Sequence, residues 1–293
     1  MPLTRRLFLT LAAASALPLG RPAGAIVARA DSLYHWIGGG PFFGGFSGLH
    51  LSDDRSRALV ISDRGFALQV RLLRDAQGRL QGVEKLGHWI LRDAEGQEMA
   101  NHRADAEGVD IGPDGTIYIS FEGAQSRVHA YRRIDGRARL LPVVPDWRRL
   151  PNNASLESLA VDAAGVVHVL PEGVLDGGHP LYRLRDGWQV AGIIPSRGGF
   201  RPVGMDFGPD GNLYLLERKF RLAFFASRIS RLRPGAWDRP ETLVETSLGQ
   251  LDNHEGISVT RDRAGQLWAT TISDDNQIRL QRTEIAEFRL PEG

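Results

Sequence analysis

No cysteine occurs in the 293 residues. Its absence excludes thiol nucleophiles, disulfide staples and cysteine-ligated zinc or iron–sulfur centres. Stability must then rest on core packing, for which a chain of this length suffices. No hydrophobic run is long enough to span a bilayer. Excess charge is lacking too, with 36 Lys+Arg against 35 Asp+Glu. No coiled coil or distinctive apolar surface stretch announces a partner, so a monomer is expected.

Several catalytic signatures are also absent. Gly45-Phe46-Ser47-Gly48 has the wrong spacing for a Gly-x-Ser-x-Gly elbow. No His-Glu-x-x-His, phosphate-binding P-loop or dinucleotide fingerprint appears. In Arg197-Gly198-Gly199-Phe200-Arg201-Pro202, Gly198 stands where histidine acid phosphatases need their nucleophilic histidine. That mechanism is excluded.

What is present begins with a leader. Thr4-Arg5-Arg6-Leu7-Phe8-Leu9 precedes an apolar stretch ending near Leu19, and Ala23-Gly24-Ala25 fits a small-residue cleavage site. The arrangement predicts a twin-arginine export signal over 1–25, a periplasmic or secreted protein, and one domain over 26–293. Removing Arg5, Arg6 and Arg21 leaves 33 basic against 35 acidic residues, a net charge of −2. Net charge therefore offers no argument for nucleic acid or a membrane.

Glu107 to Glu122 reads E-G-V-D-I-G-P-D-G-T-I-Y-I-S-F-E, two alternating runs around a Gly-Pro-Asp-Gly turn. Period-two alternation around such a turn predicts a β-hairpin. The hairpin recurs at Phe46 to Asp63, Glu157 to Glu172, Val203 to Glu217 and Glu255 to Ser273, at periods of roughly 46 to 60 residues. Two further strand patterns follow each of the first four copies. They are Ala67–Leu73 and Val83–Leu91, Arg127–Ile134 and Ala138–Val144, Leu181–Leu184 and Trp188–Ile194, and Ala226–Leu232 and Glu241–Thr246. Four strands per repeat predict an all-β protein, a β-propeller. Gaps of 43, 34, 30 and 37 residues, with 41 left at the two ends together, give five blades. Thr283–Leu290 and the outer strand Ser32–Ile37 would close the ring, and six blades is the alternative.

Antiparallel pairing puts both ends of each hairpin at one edge of its sheet. Glu107, Glu157 and Glu255 then begin inner strands at the same mouth where Asp63, Glu122, Glu172 and Glu217 end second strands. Asp274-Asp275-Asn276 extends the fifth copy. Asp54, Asp114 and Asp210 sit at the opposite edge and serve their turns. Clustered carboxylates need cations, protons or arginines. An oxygen-rich, cysteine-free rim suits a hard divalent cation, Ca²⁺ ahead of Mg²⁺. Arg64, Arg201 and Arg218 lie near the same edge and offer the competing reading, a pure ion network. His254 and His102 could line the mouth, whereas His50, His129 and His168 fall in strand patterns as packing or surface residues.

These residues resemble the bacterial family known for the esterase-like activity of phytase, from about Gly44 to Leu290. The resemblance is carried by Phe-Ser-Gly-Leu at 46–49, Ser-Asp-Arg-Gly at 62–65, Glu107-Gly108, Glu217-Arg218, Glu255-Gly256 and Ser273-Asp274-Asp275-Asn276 with Leu280-Gln281-Arg282-Thr283. It implies a propeller, an exported location and hydrolysis of a phosphoester or ester. Two departures stand out: Glu157-Ser158 where Glu-Gly is usual, and Pro202-Val203 in place of a leading acid.

Two functions follow as expectations. In the first, a rim-bound cation assists hydrolysis of a small anionic substrate, with sugar-lactone hydrolysis as a variant. Glu107, Glu157, Glu255, Asp274 and Asp275 act as ligands or general base, and Arg64 and Arg218 hold anionic oxygens. In the second, the rim binds a cation or ligand without turnover.

Overall fold

The computed structural model describes residues 28–99, 104–123, 126–151, 154–276 and 281–292, so the expected leader lies outside the described residues. Twenty strands form five four-stranded sheets. After β1 (Ser32–His35), blade one holds β2 (Phe46–Leu51), β3 (Arg57–Ser62), β4 (Phe66–Arg74) and β5 (Leu80–Ile90). Blade two holds β6 (Ala106–Ile111), β7 (Ile117–Phe121), β8 (Arg127–Tyr131) and β9 (Arg139–Leu140). Blade three holds β10 (Ser158–Val161), β11 (Val167–Leu170), β12 (His179–Leu184) and β13 (Trp188–Ile194). Blade four holds β14 (Arg201–Phe207), β15 (Leu213–Arg221), β16 (Phe224–Leu232) and β17 (Glu241–Glu245). β18 (Asn253–Arg261), β19 (Leu267–Asp274) and β20 (Glu284–Leu290) complete the ring with β1 as their outer strand.

The count is five, so the six-bladed alternative falls away. Closure joins the two ends of the chain: Ser32 pairs with Glu287 and His35 with Glu284. Breaking the ring therefore requires peeling an antiparallel strand from its neighbour. One strand is shorter than its pattern suggests. β9 covers only Arg139–Leu140 of the expected Ala138–Val144, because Pro142 has no N–H to give a ladder.

Five apolar cores lie between successive blades. One joins Phe46, Val60 and Leu68 of blade one to Ile272 and Ile285 of blade five. Ile61 and Ala67 meet Ile119 and Phe121, and Val128 and Ala130 meet Leu159 and Val169. Ala160 and Leu181 meet Met205 and Leu215, and Val203 and Leu216 meet Ile257 and Ala269. Each blade is covered on both faces near the axis, so its inner strands are buried runs, whereas the outer strands β5, β9, β13 and β17 are largely exposed or half-buried. β10 and β11 are buried at every position.

Close approach at the axis explains the Glu-Gly pairs. A Cβ on Gly204 would lie 2.2 Å from the Glu255 carbonyl oxygen, and one on Gly108 would lie 2.7 Å from the Leu159 nitrogen. Inner strands this close leave no room for a side chain there. The pairing register also slips between Phe46 and Gly48, Ala106 and Val109, Pro202 and Gly204, and His254 and Gly256. Such bulges bend a strand and re-aim the extra side chain. Ser47, Glu107, Val203 and Glu255 occupy those slips, and with Glu157 they surround the axis.

Candidate metal and active centre

At one end of the axis, Ser47, Glu107, Glu157, Val203 and Glu255 line a cavity of about 10 Å³. That is room for one water-sized guest. The Ser47 hydroxyl is buried there without a hydrogen-bond partner. Glu107, Glu157 and Glu255 are all buried. Carboxylate oxygens of Asp105, Glu107 and Glu122 lie within 4.8 Å of one another.

Burial comes first among the causes that raise Glu107 well above the ordinary carboxylate range, followed by the charges of Glu255, Glu122, Asp105 and Asp63. Glu157 is raised in the same way by burial and then by Glu107, Glu122 and Glu255. Glu122 is pushed to about 7 by burial, although its carboxylate accepts the Ser155 N–H at 3.1 Å and hydrogen-bonds Glu157. Two carboxyl groups sharing a hydrogen bond must also share a proton. Burial, with help from Glu255 and Asp105, brings Asp63 to about 6 against the Ser62 hydroxyl. Asp274 reaches about 8 through burial and then Glu255, opposed by the Asn276 N–H. Five acids from four blades thus have their carboxyl groups raised, first by burial and then by neighbouring carboxylates.

Arg218 is the cation of the group. It donates to Glu255, to the Asn253 Oδ1 at 2.7 Å and to the Glu172 Oε1 at 3.3 Å. Burial works against its charge, yet Glu255, Glu157 and Glu172 outweigh that and hold the guanidinium above its ordinary range. Arg201 reaches the Glu172 Oε2 at 3.5 Å from the exposed rim. Asn253 Nδ2 donates to Glu255 at 2.8 Å.

Not every expected residue joins this group. Glu217 lies directly across from Arg228 in the ladder, and opposite residues share a face. It accepts from Arg228, from Arg197 at 3.2 Å and from the Ser230 hydroxyl at 2.6 Å. In blade four it is therefore Arg218, the next residue, that faces the acids. The Arg64 guanidinium donates to the Phe43 and Pro41 carbonyls at 3.1 and 2.9 Å and braces that loop. His254, next to Glu255, turns the other way: Nδ1 is 2.8 Å from the Thr271 hydroxyl and Nε2 is 3.5 Å from Glu284. Asp275 accepts the Gly45 N–H and the Thr283 hydroxyl, each at 3.1 Å, and ties two loops at the rim. His102 lies outside the described residues.

Three participants escaped the sequence reading: Asp105, Ser47 and Asn253. Asp105 precedes the hairpin in a left-handed conformation, φ 45°, which Asp tolerates better than most residues. Its one sequence signal is the spacing of two from Glu107. Ser47 could have been found by aligning Phe46-Ser47-Gly48 with Ala106-Glu107-Gly108.

Beyond the glycines the axis is lined by a second polar layer. His50 Nδ1 is 2.7 Å from Asp110, which also accepts the Val161 N–H at 2.6 Å. A cavity of about 740 Å³ opens on the turn face beside Val161, His168, Arg183, Phe207 and Trp237, and its lining includes none of the clustered acids.

With this geometry in hand, comparison with known proteins gives one family and a fold. The sequence pattern defining the family described as "Esterase-like activity of phytase" matches residues 41–277. No curated protein matches the chain. A protein from Bifidobacterium bifidum s17, provisionally described as an exo-β-1,3-galactanase, is similar at 15% identity, with 85% of this chain and 89% of that one covered and a TM-score of 0.54. A protein provisionally described as a gluconolactonase shares 13% identity over 92% of this chain and 96% of that one, at a TM-score of 0.46. A luciferin-regenerating enzyme shares 9% over 86% and 92%, at 0.45.

Proposed function

Since the chain belongs to the family of the esterase-like activity of phytase, we propose that its acid mouth binds a divalent cation and hydrolyses a small phosphoester or carboxylic ester. The observation that carries this reading is the convergence of Asp105, Glu107 and Glu122 within 4.8 Å, beside a buried Ser47 hydroxyl without a partner. The donors are all oxygen, which fits Ca²⁺, or Mg²⁺ where geometry permits, and disfavours soft metals. Raised carboxyl groups fit as well, because a cation would offset both the burial of their charge and the repulsion among them.

Asp105, Glu107 and Glu122 would hold the ion, with Glu157 and Glu255 completing its surroundings. A bound divalent cation polarises a phosphoryl or acyl oxygen and makes a water molecule more acidic. Arg218 keeps Glu255 oriented and supplies positive charge beside the mouth. Arg201, at the rim, is the guanidinium free enough to meet an anionic substrate. Asp63, brought to about 6, stands next to the mouth and is the group able to take a proton from water near neutral pH. Export through the leader over 1–25 would place this chemistry in the periplasm or outside the cell.

A second reading, cation binding without turnover, is favoured by the saturation of Arg218 with Glu255, Asn253 and Glu172. One experiment separates the two. Nitrophenyl phosphate, nitrophenyl acetate and phytate are assayed with and without chelator, on the wild type and on Glu107→Gln. Turnover lost in chelator and in the variant supports hydrolysis. Cation binding with no turnover on the panel supports the second reading.

A further inference from the structure

The apolar side chains most exposed to solvent are concentrated at the acid face. Among the described residues Ile37 is 91% exposed, Leu222 78%, Phe220 63% and Phe224 57%. Ile37 follows β1 where it meets the start of β20, and the other three sit at the tip of the β15–β16 hairpin. That hairpin stands above its neighbours. β15 continues four residues past Glu217 to Arg221, whereas β3 stops at Ser62. At about 3.3 Å per residue the tip projects roughly 13 Å further.

The turn itself is costly. Arg221 pairs with Phe224, so Leu222 and Ala223 form a two-residue loop, with φ of 52° and 66°. Positive φ at both central residues is the hairpin geometry that favours Asn-Gly. Leucine there is strained, and its side chain is the most exposed of the tip. Such strain, held at an exposed tip, points to function.

We propose that this tip is a membrane-docking finger, and that its partner is the surface of an anionic bilayer. Phe220, Leu222 and Phe224 offer the apolar wedge of an interfacial anchor, while Arg221 at the tip meets anionic headgroups. Net charge gives no such signal because this cation is balanced elsewhere in the chain. Docking by the finger, with Ile37 on the same face, turns the acid mouth toward the bilayer.

The test uses the chain from Ile26 onward, which contains every strand of the ring, in chelator so that cation binding plays no part. Co-sedimentation is measured with phosphatidylcholine vesicles and with vesicles carrying about 30 mol % phosphatidylglycerol. Binding to the anionic vesicles is expected, and the triple variant Phe220→Ser, Leu222→Ser, Phe224→Ser should weaken it roughly tenfold or more. Arg221→Glu should weaken binding to anionic vesicles alone. Circular dichroism of each variant confirms that the exposed tip can change without loss of fold. No binding by the wild type, or equal binding by the triple variant, overturns the proposal. So does a wild-type dimer that the triple variant converts to monomer without any vesicle binding, since the finger's partner would then be a second copy.

Discussion

Asp274→Asn should flatten the loss of stability that the unliganded protein suffers as pH rises from about 6.5 to 8. The Asp274 carboxyl is raised to about 8 by burial and by Glu255. In the unfolded chain the same group gives up its proton near the ordinary aspartate value, about 3.9. The folded state therefore holds one more proton between those limits. The stability this proton contributes is full at low pH and lost as pH climbs toward the folded value. Each unit of pH costs about 1.4 kcal/mol per proton retained, so Asp274 accounts for about 2 kcal/mol across the window. His50, raised against burial by its hydrogen bond to Asp110 and by that group's charge, and the buried His129, lowered to about 4, act alike in wild type and variant, so the difference between the two slopes isolates Asp274. Urea unfolding in chelator at several pH values measures the slope directly. Wild-type stability that is flat or rises over this range would refute the reasoning, as would an unchanged slope in Asp274→Asn.

Two further substitutions probe the same centre. Arg218→Met leaves Glu255 buried beside Glu172 without its guanidinium, which should cost about 3–5 kcal/mol near neutral pH and less at pH 5, where Glu255 can take up a proton; denaturant midpoints at the two pH values check this. Gly204→Ala sets a methyl group 2.2 Å from the Glu255 carbonyl oxygen, so thermal unfolding should report a loss of at least about 2 kcal/mol.

The ring was legible because its repeating unit is local. A hairpin such as Glu107 to Glu122 shows its strands, its turn and its two acidic ends within sixteen residues of sequence. Closure by an outer strand, expected over Ser32–Ile37 and observed over Ser32–His35, followed from counting what remained at the ends. Direction within a strand was harder to read. Whether Glu217 or Arg218 faces the axis depends on a single step of register, and one step reverses every side chain. β15 pairs with β16 without a slip, and Glu217 opposite Arg228 puts Arg218 on the other face. The same limit hid the role of His254, which shares a strand with Glu255 but turns toward Thr271. Asp105 was missed for a different reason: it lies before the hairpin, and a left-handed aspartate leaves no periodic trace.

The central claim is that Asp105, Glu107 and Glu122 of blade two converge on one cation-sized place, with Glu157 of blade three and Glu255 of blade five beside it. Calorimetric titration of the unliganded protein with Ca²⁺, in two buffers of different ionisation heat, tests it most directly. One site per chain is expected, with protons released on binding at pH 6.5 because Glu107 and Glu122 must give them up, and the site should be lost in Glu107→Gln. Absence of binding by Ca²⁺ and Mg²⁺ alike, or binding with no proton release and no dependence on Glu107, would contradict it.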